Sequence, residues 1–188
     1  MQNFVEELIA ELYQSKGYFV TKNFWVPFQS TRQRTQKGKD QSYDAQSWTD
    51  IDILAKNDKE LVIIQVKAII NDKKVAEKIK LYFQRIEDFL KRGLAPDDRT
   101  DISWWTKNVD VKKIVIYEWE NSPKAYINLI KEGGIEVYPF REYFDKLIEY
   151  VNNKKGVKEE NAALRLLHFL KTQDLIKSDE KKTKEKNK

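Results

Sequence analysis

Two short apolar runs divided by a polar turn constrain this chain more than any other feature. They read Asp50-Ile-Asp-Ile-Leu-Ala-Lys-Asn-Asp-Lys-Glu-Leu-Val-Ile-Ile-Gln-Val-Lys67. Aliphatic, β-branched runs of this length on either side of a polar break predict a strand, a turn over residues 56–60 centred on Asn57-Asp58, and a second strand. Side chains alternate along a strand, so Asp50 and Asp52 are expected on one face and Ile51 and Ile53 on the other. On the second strand Ile63, Gln65 and Lys67 share a face, with Val62, Ile64 and Val66 opposite. Two acids, an amide and an ammonium thus interrupt apolar strands at positions able to converge. Placing charge there is costly unless the groups pair or bind something, and such a conflict is where function is to be sought. A plainer reading also fits, in which Asp50 and Lys67 pair across the strands on a solvated face.

Asp52-Ile-Leu-Ala, followed thirteen residues after the Asp by Gln65-Val-Lys67, resembles the core of the PD-(D/E)xK nuclease superfamily. That pattern is an Asp at the start of one strand and an acidic-x-Lys on the next. Gln65 stands where most members carry Glu or Asp, as in the Gln-x-Lys variant of Mrr-type restriction endonucleases, and Ile51 replaces the Pro. The beginning of the chain adds to the likeness. Phe4, Val5, Leu8, Ile9, Leu12 and Tyr13 recur at helical spacing, Gly17 is placed as the C-cap, and a strand over residues 18–26 follows. Helix, Gly and strand, with a Glu in the helix, resemble the opening of Holliday-junction resolvases. In those, an acid about three turns ahead of the Gly joins the metal site. Glu6, eleven residues before Gly17, fits that position, and Glu7 competes for it.

The resemblance implies an α/β, restriction-endonuclease-like fold with an α-β-β-β-α-β core and a mixed central sheet flanked by helices. It implies Mg²⁺ or Mn²⁺ as cofactor and DNA as partner, with a homodimer as the acting form. Carboxylates are hard oxygen ligands, and Mg²⁺ needs only one or two of them because it keeps several waters. Asp52 is then the bridging metal ligand, with Glu6 or Asp50 as the second acid. Gln65 ligates through its side-chain oxygen, and the Val66 carbonyl is a further donor. Lys67 orients the attacking water or offsets developing negative charge. Gln in place of Glu removes one negative charge, so metal affinity should be lower than in a Glu-x-Lys site unless Asp50 restores it.

At 188 residues the chain suits one domain with a full core. Its net charge of +5 suits a polyanionic partner. Without Cys, disulfides and thiolate metal sites are excluded, and a single His cannot build a histidine zinc site or a triad. No apolar run reaches membrane-spanning length and the opening helix lacks a signal-peptide core, so a soluble, cytoplasmic protein without membrane contact is expected.

Residues 27–47 are polar, with Arg32, Arg34, Lys37 and Lys39 closely grouped. They are expected as a long loop at the mouth of the site, serving either as a nucleic-acid-binding arm on phosphates or as a solvated connection. Asp44 within it is an outlying metal-ligand candidate. A helix is predicted over residues 74–92, with Lys80 or Gln84 reaching a phosphate or simply facing solvent. Residues 93–109 read as irregular, with Trp104-Trp105 either stacking on bases or packing. A strand over 112–119, a helix over 124–132 ending at Gly133-Gly134, a strand over 135–140 and a helix over 141–152 follow. The nuclease-like domain is accordingly placed at 1–152. Residues 153–176 form a C-terminal helical extension carrying His168 and a leucine-rich face, and 177–188 a disordered charged tail.

The function expected is a metal-dependent nuclease hydrolysing DNA phosphodiester bonds, resolvase-like on branched DNA by its opening helix or Mrr-like by its Gln-x-Lys. A second class is a nucleic-acid-binding module that keeps the fold and has lost the chemistry. A third is a protein–protein adaptor using the leucine-rich helix.

Overall fold

The computed structural model describes residues 2–36, 39–92, 108–118 and 122–153. Helix α1 (Gln2–Ser15) buries Val5, Leu8, Ile9, Leu12 and Tyr13 of its sequence stripe, while Phe4 at its start stays exposed. It ends at Gly17, whose φ of 85° lies in the left-handed region that favours glycine. There the Gly17 N–H donates to the Gln14 carbonyl at 2.9 Å and the Tyr18 N–H to the Tyr13 carbonyl at 3.1 Å, closing the helix.

Three antiparallel strands follow, β1 (Phe19–Gln36), β2 (Lys39–Lys56) and β3 (Glu60–Lys67). The turn between β2 and β3 is held by Asn57, whose side-chain oxygen accepts the N–H groups of Lys59 at 2.8 Å and Glu60 at 2.9 Å. Helix α2 (Lys73–Arg92) opens with the Asp72 carboxylate accepting the Val75 N–H at 2.8 Å. It carries the chain back to β4 (Asp110–Tyr117), which lies parallel to β3. Helix α3 (Lys124–Lys131), strand β5 (Glu136–Pro139), parallel to β4, and helix α4 (Phe140–Asn153) complete the described chain. The sheet order is β1-β2-β3-β4-β5, antiparallel at one side and parallel at the other. The described residues therefore form an α/β structure with a mixed five-stranded sheet. Among the described residues no helix is long and apolar enough to cross a membrane.

Two cores hold the layers together. Leu54, Leu61, Ile63, Val115 and Val137 on one face of the sheet pack with Ile79, Phe83 and Ile86 of α2 and Ile130 of α3. Ile53, Ala55, Val62, Ile64, Val66, Ile114 and Ile116 on the other pack with α1 and with Tyr143, Leu147 and Ile148 of α4. Residues 61–66 of β3 are buried throughout, as expected of a central strand covered on both faces.

The expected loop over residues 27–47 is corrected: nearly all of it is strand. β1 and β2 stay in one antiparallel register from Phe19↔Lys56 to Gln36↔Lys39, so Arg32, Arg34 and Lys39 sit on hairpin strands. Their side chains, and Lys37 itself, lie outside the described residues. Polar composition misled because a two-stranded ladder satisfies the backbone whatever the side chains, and Thr31, Thr35, Tyr43 and Thr49 suit a strand. Trp104-Trp105, the 153–176 extension beyond Asn153, His168 and the 177–188 tail also lie outside the described residues.

Candidate functional site

The β2–β3 ladder pairs Lys56↔Leu61 through Ile53↔Ile64 and goes no further. Asp52 and Gln65 are the next residues in register, and here the two strands part. In place of a backbone carbonyl, the Asp52 carboxylate accepts the Val66 N–H at 2.6 Å. Across the hairpin the β1–β2 register omits one step, Asn23 opposite Asp52, and Asn23 has a φ of 52°. Asn is among the few residues that adopt this conformation readily. The interruption has a consequence for side-chain direction. Ile51 and Leu54 belong to the same core, on the α2 side, while Ile53 belongs to the α1 side. Residues three apart in a regular strand face opposite ways. The alternation on which Asp50 and Asp52 were expected to share a face is thus broken at Asp52, as at a bulge.

Asp52 and Gln65 are each only 6% exposed. Burial pushes the Asp52 carboxyl above its ordinary value; the Val66 N–H and the Lys67 ammonium pull it back, and Asp50 pushes it up again. Glu6, half-buried on α1, is raised by burial first and then by the charges of Asp52 and Asp50, against Lys22. Glu7 faces outward and pairs with Lys22. Of the two helix acids, Glu6 is therefore the one that senses the strand carboxylates. Lys67 lies half-buried at the end of β3 and acts on Asp52, and no ion pair joins it to Asp50 among the described residues. The cross-strand pair that would have made these charges purely structural is not formed.

The Gln65 side-chain oxygen is buried and has no hydrogen-bond partner. Buried polar atoms are paired in the great majority of cases, so this oxygen calls for a partner of another kind. Asp52 and the Gln65 Oε1 lie where the two strands part, and Glu6 is within electrostatic reach of Asp52; oxygen donors of these types suit a hard cation that keeps several waters. Among the described residues no three His, Cys, Asp or Glu side chains gather closely enough to hold a metal ion by themselves. The amide oxygen would have to supply what a third acid does not.

Tyr82 of α2 is buried with the core on that side of the sheet. Its hydroxyl is buried without a hydrogen-bond partner and is pushed well above its ordinary value, by burial first and then by Asp52 and Asp50. The signal available in the sequence was a hydroxyl within an otherwise apolar helix face. The other outlying candidates do not join the group. Gln84 is exposed, Lys80 runs past Gly133, and Asp44 is exposed on β2 opposite Thr31. Arg85 instead stacks over the Phe28 ring at 3.9 Å, tying the hairpin to α2.

No family model and no curated protein matches the chain. Among solved structures, the crystal structure of a protein of unknown function, AF1548, is similar at 16% identity with a TM-score of 0.41. The match covers 74% of this chain and 59% of that one, so the chain spans somewhat over half the length of that protein. A likeness at this level carries no argument about fold or function.

Proposed function

We propose that the chain is a metal-dependent nuclease with a restriction-endonuclease-like core, hydrolysing phosphodiester bonds in DNA. The observation that carries this reading is the partnerless buried oxygen of Gln65 at the point where the strands part beside Asp52. A structural amide in that position is destabilising unless it holds something. Asp52, Gln65 and Glu6 would hold Mg²⁺ or Mn²⁺, with Asp50 nearby adding negative charge. A bound divalent cation lowers the pKa of a coordinated water and offsets charge on a phosphate. Lys67, close enough to influence Asp52, orients the attacking water and stabilises the negative charge that develops on the phosphate oxygens. The Val66 N–H keeps the Asp52 carboxylate in one orientation. DNA as substrate is supported by the net charge of +5 and by Arg32, Arg34, Lys37 and Lys39 in the stretch of sequence that leads into the site. Action inside the cell, as a homodimer on branched DNA, is the form of this proposal that the Glu6-bearing helix favours.

A second reading is a binding module of the same fold with its chemistry lost. The lack of a third acid at the site, among the described residues, favours it.

The deciding experiment is cleavage of matched linear, flapped and four-way-junction DNA in Mg²⁺, Mn²⁺ or EDTA. Wild type is expected to cut only with metal, and Asp52→Asn and Lys67→Ala to lose cutting while still folding. Binding without cutting under every metal condition would select the module, and metal-independent cutting by Asp52→Asn would overturn the site.

A further inference from the structure

The β1–β2 register puts Trp25 directly opposite Asp50 and Trp48 opposite Pro27, so the two indoles are diagonal neighbours on one face of the hairpin. They are 59% and 56% exposed. The residues that alternate with them along the two strands face the other way. Phe24, Val26 and Ile51 belong to the core beneath α2, and Phe28 lies under Arg85 of that helix. The two Trp side chains are therefore left outside a face that is otherwise well packed, and core formation does not account for them. Diagonal side chains across an antiparallel pair stand about 7 Å apart, roughly twice the 3.4 Å spacing of stacked bases. That separation admits one planar ring between two others. The next residue along this face of β2 is Asp50, which acts electrostatically on Glu6 and Asp52.

We infer that Trp25 and Trp48 form a stacking platform for an unpaired base, which delivers a single-stranded segment of nucleic acid to the Asp52–Gln65 site. The occupant is identified by charge as well as by shape. From Pro27 to Tyr43 the sequence carries four basic residues, Arg32, Arg34, Lys37 and Lys39, against Asp40 alone. An extended strand with its bases on the indoles and its phosphates along the basic outer hairpin meets both features. A second copy of the chain, itself at net charge +5, would meet the indoles but be repelled by that cluster. The inference rests on the nuclease reading only for the site that the strand enters.

The test is a fluorescence-anisotropy titration in EDTA, where no metal-dependent cutting occurs. The probes are a labelled short oligothymidylate, alone and annealed to oligoadenylate. Trp25→Ala and Trp48→Ala are each expected to weaken single-strand binding about ten-fold or more and duplex binding less than about two-fold, with Trp25→Phe and Trp48→Phe retaining most of it. Thermal melts of all four variants should match wild type, since the side chains are exposed. Unchanged single-strand binding in both Ala variants overturns the platform even if wild type cuts DNA. Equal losses on single strand and duplex also overturn it, as does a wild-type dimer that the Ala variants dissociate. Single-strand binding lost in the Ala variants, with no metal-dependent cutting by wild type, sustains the platform while the nuclease reading falls.

Discussion

Replacing Gln65 by methionine tests whether the site is built to hold a ligand or merely tolerates a misplaced amide. The Gln65 side-chain oxygen is withdrawn from water and has no hydrogen bond. An unpaired buried polar group costs ~1–3 kcal/mol. Methionine is close to glutamine in length and shape and fills the same space without a polar atom. Gln65→Met should therefore stabilise the metal-free protein by about 1–3 kcal/mol. For a chain of this length that raises Tm by about 2–12 °C. Divalent cation should then reverse the order. At a concentration near a hundred times its Kd, a cation that binds only the folded state stabilises wild type by about 2.7 kcal/mol. The variant, lacking one ligand, should respond far less. Thermal and urea unfolding followed by circular dichroism, in EDTA and across a Mg²⁺ series, reads both effects. A variant less stable than wild type in EDTA would refute the claim that the oxygen is unpartnered. A stability gain of the same size at every Mg²⁺ concentration would show that Gln65 is no ligand.

Two further outcomes follow from the same geometry. The Asp52 and Glu6 carboxyls are raised in the folded state, by burial first, so the native protein holds their protons more tightly than the unfolded chain. That contribution is fully present below the ordinary carboxylate values and is lost as pH rises through the raised ones. Glu60, lowered by Lys112 and Tyr18, works in the opposite direction. The decisive quantity is therefore the difference between wild type and Asp52→Asn: in EDTA, wild type should lose stability relative to the variant as pH climbs above about 4. Parallel stability curves would refute the assignment. Tyr82→Phe removes a buried hydroxyl with no partner, so it should leave stability unchanged or raise it by about 1 kcal/mol. A variant clearly less stable than wild type in urea unfolding would show that the hydroxyl is partnered after all.

Much of the architecture was legible because local rules and tertiary packing agree there. The stripe Val5–Leu8–Ile9–Leu12 followed by Gly17 marks α1 and its stop, and both stand in the structure. The Asn57-Asp58 turn needed no tertiary information, since Asn57 closes it on its own backbone neighbours. The outer hairpin is the counterexample. Over residues 27–47 the side chains are polar on both faces, so hydrophobic periodicity carries no signal. The partner strand that orders the segment is itself part of the same polar stretch.

The sequence alone determined which residues are chemically out of place. Asp52, Gln65 and Lys67 interrupt aliphatic strands, and Glu6 and Glu7 sit on the helix before them. It could not say which of them meet. Tertiary structure decided that Glu6 and not Glu7 senses the strand acids, because packing of Val5, Leu8 and Ile9 against the sheet fixes the rotation of α1. It also decided that Asp52 and Asp50 do not follow one alternation. A single left-handed residue on the partner strand, Asn23, interrupts the ladder opposite Asp52. Burial and partnership are properties of neighbours distant in sequence, and for that reason the orphaned oxygen of Gln65 and the hydroxyl of Tyr82 became visible only once the layers were assembled.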